Sequence, residues 1–294
     1  MKKIMSLVLL VTLTFLLVSC DDEPEPIIEE KVCLAPSDYS SSLTYNLVWS
    51  DEFDGDTLNE DNWKYEINGS GGGNNELQYY TDQNVTVSEG TLKITAKKEA
   101  YMSRDYTSSR ITTEYHQTFK YGVIEISAKI PAGKGTWPAL WMMPEFSRYG
   151  GWPNSGEIDI MEHVGYDPNV IHGTVHTDYY NHKDGSSKGG TTRDYQDVTE
   201  EFHVYKIEWL PDQIKWYVDD ELYYTFNPNK FSSCPTYKAW PFNSPFFLIF
   251  NVAVGGDWGG AQGIDDDIFP TTMEVDYVRV YQAEELEEYD DNSQ

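Results

Sequence analysis

Cysteine is scarce in this chain: three in 294 residues, at positions 20, 33 and 234. At most one intrachain disulfide can form. Basic residues are scarce as well, 21 Lys and Arg against 49 Asp and Glu, for a formal net charge of −28. Such a balance repels polyanions. It excludes nucleic acid as a partner and argues against sulfated or uronic polymers. No Gly-x-Ser-x-Gly elbow occurs. Gly71-Gly72-Gly73 lacks the Lys-Ser/Thr that would make a phosphate loop, and reads as a flexible connection. No segment carries a long helical period, and nothing beyond the N-terminus reads as a membrane span.

The N-terminus carries a processing signal. Lys2 and Lys3 precede an apolar stretch over 4–18, too short for a comfortable span. Leu17-Val18-Ser19-Cys20 resembles a bacterial lipobox, so 1–19 is expected to be a lipoprotein signal peptide and Cys20 the lipidated residue. Residues 20–42 then form an acidic, proline-bearing tether, and 284–294 an acidic tail. This places the protein in the outer membrane as a lipoprotein, on the cell surface or the periplasmic face. Cys33 and Cys234 either pair in that oxidising compartment or stay as two buried thiols.

Aromatic residues are plentiful, with 9 Trp and 22 Tyr. A core alone rarely needs so many, and neutral sugars are held on aromatic platforms, so the composition leans towards carbohydrate. Residues 43–283 read as one domain that is almost wholly β. Ile124, Ile126, Ala128 and Ile130 alternate with Glu125, Ser127 and Lys129. Leu92, Ile94 and Ala96 alternate with lysines and threonine, and 273–281 alternates again. Asp219-Asp220-Glu221 separates two alternating runs as a hairpin turn. Residues 246–254 form a continuous apolar run, as expected of a strand covered on both faces. Many short strands with Gly, Pro and Asn turns point to an all-β antiparallel sandwich.

The most informative stretch is Gly156-Glu157-Ile158-Asp159-Ile160-Met161-Glu162-His163. In a strand, Glu157 and Asp159 share a face, while Glu162, five residues on, falls out of phase. A one-residue bulge near Met161 would restore it. Like charges along one strand face repel and need a reason. Two carboxyl groups flanking a glycosidic bond supply that reason. Glutamates on one bulged strand converge to the short separation of a retaining enzyme, since an inverting pair must house a water. Asp159 between them can hydrogen-bond one glutamate, while its charge disfavours ionisation of the other. Trp137 and Trp141, four apart on one strand face, and Trp258, beside loop glycines, are candidate sugar platforms. His172 and His176 would suit zinc on a helix. Residues 171–176 read as a strand, so sugar contact by His176 is preferred to a metal site.

With these residues placed, the chain resembles glycoside hydrolase family 16, and within it the laminarinase-like endo-β-1,3-glucanases. The resemblance rests on Val48-Trp49-Ser50-Asp51-Glu52-Phe53, Asn74-Asn75-Glu76-Leu77-Gln78, Ser109-Arg110-Ile111, Trp137-Pro138-Ala139-Leu140-Trp141 and Gly156-Glu157 to Glu162. Further along it rests on His172-Gly173-Thr174-Val175-His176, Gly255-Gly256-Asp257-Trp258 and Val275-Asp276-Tyr277. The resemblance implies a concanavalin A-like jelly roll with a concave substrate cleft. It implies Glu157 as nucleophile, Asp159 as assisting acid and Glu162 as acid/base. It implies Asn75, Arg110, Trp137, Trp141, His176 and Trp258 as substrate-binding residues. The expected activity is retaining endo-hydrolysis of β-1,3-glucosidic bonds in laminarin-type glucans, extending to mixed-linkage β-1,3-1,4-glucans. Alternatives are a hydrolase of another neutral β-glycan such as agarose, or a non-catalytic glycan-binding lipoprotein. The intact trio of acids argues against the latter. No cofactor is expected for catalysis. A structural calcium is implied at Asp276, with Glu52 and Gly90 contributing backbone oxygens. The expected partners are a β-glucan polysaccharide and, through the lipid, the membrane; the protein is expected to be a monomer. Val123 and Asp219-Asp220 depart from the family pattern, away from the acids. Residues 149–153 and 178–195 are variable loops that block or extend the cleft.

Overall fold

The structure, a computed structural model, describes residues 43–287. The expected signal peptide, Cys20, the tether with Cys33, and residues 288–294 lie outside the described residues. Two antiparallel sheets pack face to face. The cleft sheet runs β12 (Lys188–Thr192), β11 (Ile171–His176), β10 (Glu157–Glu162), β9 (Thr136–Pro144), β16 (Phe246–Val254), β7 (Arg110–Thr112), β2 (Lys64–Tyr65). The outer sheet runs β15 (Glu221–Phe226), β14 (Ile214–Val218), β13 (His203–Trp209), β8 (Gly122–Lys129), β17 (Thr271–Gln282), β5 (Thr91–Ala96), β4 (Val85–Ser88). A further strand, β1 (Asn46–Asp51), also pairs with β17, and β3 (Gln78–Tyr80) and β6 (Tyr106–Ser108) form a parallel pair. This is the expected all-β sandwich of the jelly-roll class.

Alternation builds the core. Ile124, Ile126 and Ala128 of β8 and Tyr205, Ile207 and Trp209 of β13 are fully buried between the sheets. Every residue of β16 is buried, flanked on its two edges by β9 and β7. Apolar side chains facing inwards from both sheets remove a large area from water, at about 25 cal/mol per Å².

Several expectations need correction. The β14–β15 turn is the two residues Asp219-Asp220, with φ of 48° and 67°, and Glu221 already belongs to β15. Two positive φ values match the right-handed twist of the flanking strands. The alternation of β17 is interrupted by a register shift between Val275 and Tyr277, which leaves Asp276 exposed. Gly71-Gly72-Gly73 is not a loose connection. All three have positive φ, and a Cβ on Gly72 would lie 2.0 Å from Glu76 Oε1. Residues 178–195 contain strand β12. The expected tail opens with a helical turn, α1 (Glu284–Glu287), whose Leu286 packs into the core. Cys234 is disulfide-bonded.

Candidate active site

Strand β10 carries the three acids, and its register is irregular where the sequence demands it. Pairing with β11 shifts between Asp159 and Glu162, and pairing with β9 shifts between Asp159 and Met161. Ile158, Ile160 and Met161 all point into the core, while Glu157 and Glu162 open on to the cleft. The bulge thus absorbs the extra residue in the apolar phase. Within the shifted stretch, the indole of Trp216 on β14 reaches through the core and donates to the backbone oxygen of Asp159 at 2.8 Å. Gly173 leaves the room for it: a Cβ there would lie 2.3 Å from the Trp216 ring.

Each glutamate is held by a separate indole. Trp137 Nε1 donates to Glu162 Oε1 at 3.0 Å, and Trp152 Nε1 donates to Glu157 Oε2 at 2.7 Å. His176 Nε2 stands 3.3 Å from Asp159 Oδ2 and 3.7 Å from Glu157 Oε1. Burial raises all three carboxyl pKa values. Glu157 is pushed up to about 8 by burial first and the charge of Asp159 second, against His176, Trp152 and Arg110, which favour its ionised form. Asp159 is raised by burial, opposed by a hydrogen bond with Glu157. Glu162 is raised well above the usual carboxylate range by burial, then by Asp159 and Glu157. Burial therefore outweighs the Asp159 charge that the sequence emphasised. Asp159 and Glu157 both add to the burial that raises Glu162, against His176 and the Trp137 indole, so its surroundings favour the protonated form.

Of the expected substrate residues, Arg110, Trp137 and Trp141 line the cleft beside the acids, together with Ala139, Asn251 and Tyr80. The Arg110 guanidinium lies over the Trp141 ring at 4.6 Å and within 3.1 Å of Glu66. Trp141 donates to Asn251 at 2.7 Å, which fixes the plane of its ring. His176 and Trp258 line an adjoining cavity of about 530 Å³, together with His172, His182 and Lys183. Trp137, Glu157 and Glu162 border both hollows. The acids therefore sit midway along a cleft rather than at a dead end. Asn75 borders neither hollow directly; its side-chain amide donates to Asp257 at 2.9 Å, tying the 71–75 turn to the Trp258 loop. Burial pushes His172 down to about 4, so a neutral ring packs edge-on against Trp258 at 4.9 Å.

The family-16 model for glycosyl hydrolases matches residues 72–279, which hold the three acids and the lining of both hollows. The chain belongs to glycosyl hydrolase family 16. It is similar to a β-glucanase of Rhodothermus marinus, 51% identical over 245 residues, covering 81% of this chain and 85% of that protein. Among solved structures it is similar to the laminarinase of Rhodothermus marinus, with TM-score 0.79, 49% identity and 82% and 98% of the two chains covered. It is also similar to SCLam, described as a non-specific endo-β-1,3(4)-glucanase, with TM-score 0.76, 43% identity and coverage of 82% and 93%.

Trp152, His182 and Lys183 are contacts of this family-16 site that the sequence reading missed. They lie in the two segments taken as variable loops, where no periodicity marks a side chain's direction. The only signal was proximity: Trp152 is five residues before Glu157. Tyr80, Asn251 and Glu76 were missed as well. Glu76 accepts from Gln78 at 2.7 Å and from Tyr80 at 3.1 Å, and Tyr80 accepts from Asn251. This buried chain of hydrogen bonds floors the cleft and ends on the Trp141 platform.

Glu157, Asp159 and His176 bring three ligand atoms within 4.8 Å of one another, the one such group among the described residues. Asp276 lies in the outer sheet. There β1 and β5 flank the same side of β17, pairing up to Val278 and Val275 respectively. Residues 276 and 277 fill the gap between them. Glu52 follows the last residue of β1 and Gly90 precedes the first of β5, so both are carried to that gap.

Proposed function

We propose that this protein is a retaining endo-β-1,3-glucanase acting on laminarin-type glucans, with mixed-linkage β-1,3-1,4-glucans as further substrates. The observation that carries the reading is the pair of indole-held glutamates on one bulged strand, midway along an open cleft. A cleft open on both sides of the acids admits the interior of a chain. Glu157 attacks the anomeric carbon while Glu162 protonates the leaving oxygen. Glu162 then takes a proton from water, which hydrolyses the glycosyl-enzyme. Asp159 shares a proton with Glu157 before attack and spreads the charge of the cluster afterwards. Trp137, Trp141 and Trp258 offer ring faces to sugars. The relatives named above are described as a β-glucanase, a laminarinase and a non-specific endo-β-1,3(4)-glucanase, which supports the substrate class. The three carboxylates and His176 are used here as acids, bases and donors.

The test is chemical. Glu157→Gln should lower kcat on laminarin roughly 10³-fold or more, as expected for a group essential to the bond-breaking step. Proton NMR of the first product formed by the wild type should show the β-anomer. An α-anomer at first appearance excludes retention.

A structural calcium at Asp276 belongs to the same reading. The gap between β1 and β5 brings an exposed carboxylate to two chain segments with backbone oxygens. The Glu52 carboxylate is taken by Arg279 at 3.0 and 2.8 Å, which leaves its backbone oxygen for a cation. Oxygen donors suit a hard cation, and bound there it would hold β1 and β5 to the edge of β17.

A further inference from the structure

Trp152 has no assigned role, yet it makes the shortest hydrogen bond to any of the three acids, 2.7 Å to Glu157 Oε2. Its ring is fixed from several sides. His176 lies 5.8 Å from it, His182 5.1 Å, and the Lys183 ammonium stands 4.6 Å over its face. Accepting the reading of Glu157 as nucleophile, we propose that Trp152 is a positioning residue for the nucleophile, with Lys183 acting through it.

The argument is geometric. A carboxylate has two oxygens, and only one attacks. The indole occupies Oε2, so Oε1 is left to face the sugar, with His176 Nε2 3.7 Å away. A neutral indole N–H donates to a carboxylate more strongly than to a carboxylic acid, so it favours the ionised, attacking form. A cation over the ring face draws electron density from the indole and pins its plane. The 178–187 segment, which supplies Lys183 and His182, thereby reaches the reacting atoms without touching them. The groups facing Glu157 are Asp159 and Glu162 on its own strand, His176 of β11, Arg110 of β7 and Trp152. Of these, Trp152 is a donor with no charge of its own to titrate. Its removal therefore changes the hydrogen bond without changing the net charge of the site.

The experiment compares wild type, Trp152→Phe and Lys183→Met. Trp152→Phe should lower kcat on laminarin roughly 10–100-fold, the rate equivalent of a lost hydrogen bond to a charged group, with a much smaller change in KM. The acidic limb of kcat/KM should move to higher pH, because Glu157 then holds its proton longer. Lys183→Met keeps most of the apolar stem without the charge and should move the limb the same way by less. Carbon NMR of the Glu157 carboxyl, titrated in wild type and variants, reads the same shift without substrate. An acidic limb and a carboxyl titration that both stay in place in Trp152→Phe overturn the proposal, as does a loss confined to KM, which would make Trp152 a sugar platform. If the wild type leaves laminarin intact, the functional reading fails, and the carboxyl titration still decides this one.

Discussion

Burial opposes ionisation of Glu157, Asp159 and Glu162 alike, and that sets both their chemistry and their effect on stability. Glu157 titrates near 8 in the folded protein against about 4.3 in an open chain. Between those values the folded state holds a proton that the unfolded state has released. Stability from this group is therefore fully present below about pH 4 and is lost as pH rises towards 8. Glu162, raised by the same burial, adds to the loss in the same direction. Glu157→Gln removes the ionisable group but keeps an oxygen for the Trp152 indole. It should gain stability relative to wild type as pH rises from about 4 to about 8.5, read as a higher melting temperature at the upper pH. At pH 4 the two should melt together. Thermal unfolding at both pH values checks this, and equal differences at the two would contradict it. A gain in stability with a loss of activity is the usual exchange where a site concentrates like charge.

Strand β10 shows how one element joins core and cleft. Its bulge stays in place because Trp216, from the opposite sheet, donates to the Asp159 backbone oxygen in the irregular stretch. Trp216→Phe keeps most of the buried ring but leaves that oxygen without its indole donor. The loss should be about 1–3 kcal/mol. Because Asp159 and Glu162 flank the bulge, kcat should fall with little change in KM. Denaturant unfolding and laminarin kinetics measure the two effects, and an unchanged kcat would separate the bulge from catalysis. The bulge was legible in the sequence, since Glu162 sits five residues from Glu157 and only an extra residue brings both to one face. The alternating strands β5 and β8 were legible for the same reason, that side-chain period is a local property. Trp216 was not: it meets Asp159 across 57 residues of sequence, through a sheet-to-sheet contact that no local pattern encodes. Trp152 and Lys183 were illegible because irregular segments carry no period. The bulge at Asp276 hid inside an apparently regular alternation, because β-branched and aromatic residues on both sides of it mask the change of phase.

At the scale of the whole molecule, the outer sheet has one seam. Strands β1 and β5 share one edge of β17 and stop on either side of residues 276 and 277. Asp276 stands at the break, exposed, with Ser127 Oγ at 3.4 Å. A chain with 49 acidic and 21 basic residues has few ammonium groups to spare for such a place, and Arg279 already serves Glu52. A hard cation would neutralise Asp276 and tie the end of β1 to the start of β5, two segments about 40 residues apart in sequence that only β17 otherwise holds in register. Binding confined to the folded state adds about 2.7 kcal/mol at a hundredfold excess over Kd. For a domain of this size that corresponds to roughly 5–10 °C in melting temperature. A chelator should therefore lower the melting temperature of the wild type by that amount, and calcium should restore it. Asp276→Ala should melt at the chelated temperature whether or not calcium is present. Laminarin hydrolysis well below the melting range should be the same before and after chelation, because the seam lies in the outer sheet and the acids in the other. A wild-type melting curve indifferent to chelator, together with no calcium by elemental analysis, would leave the register of β1 and β5 to their ladders with β17 alone.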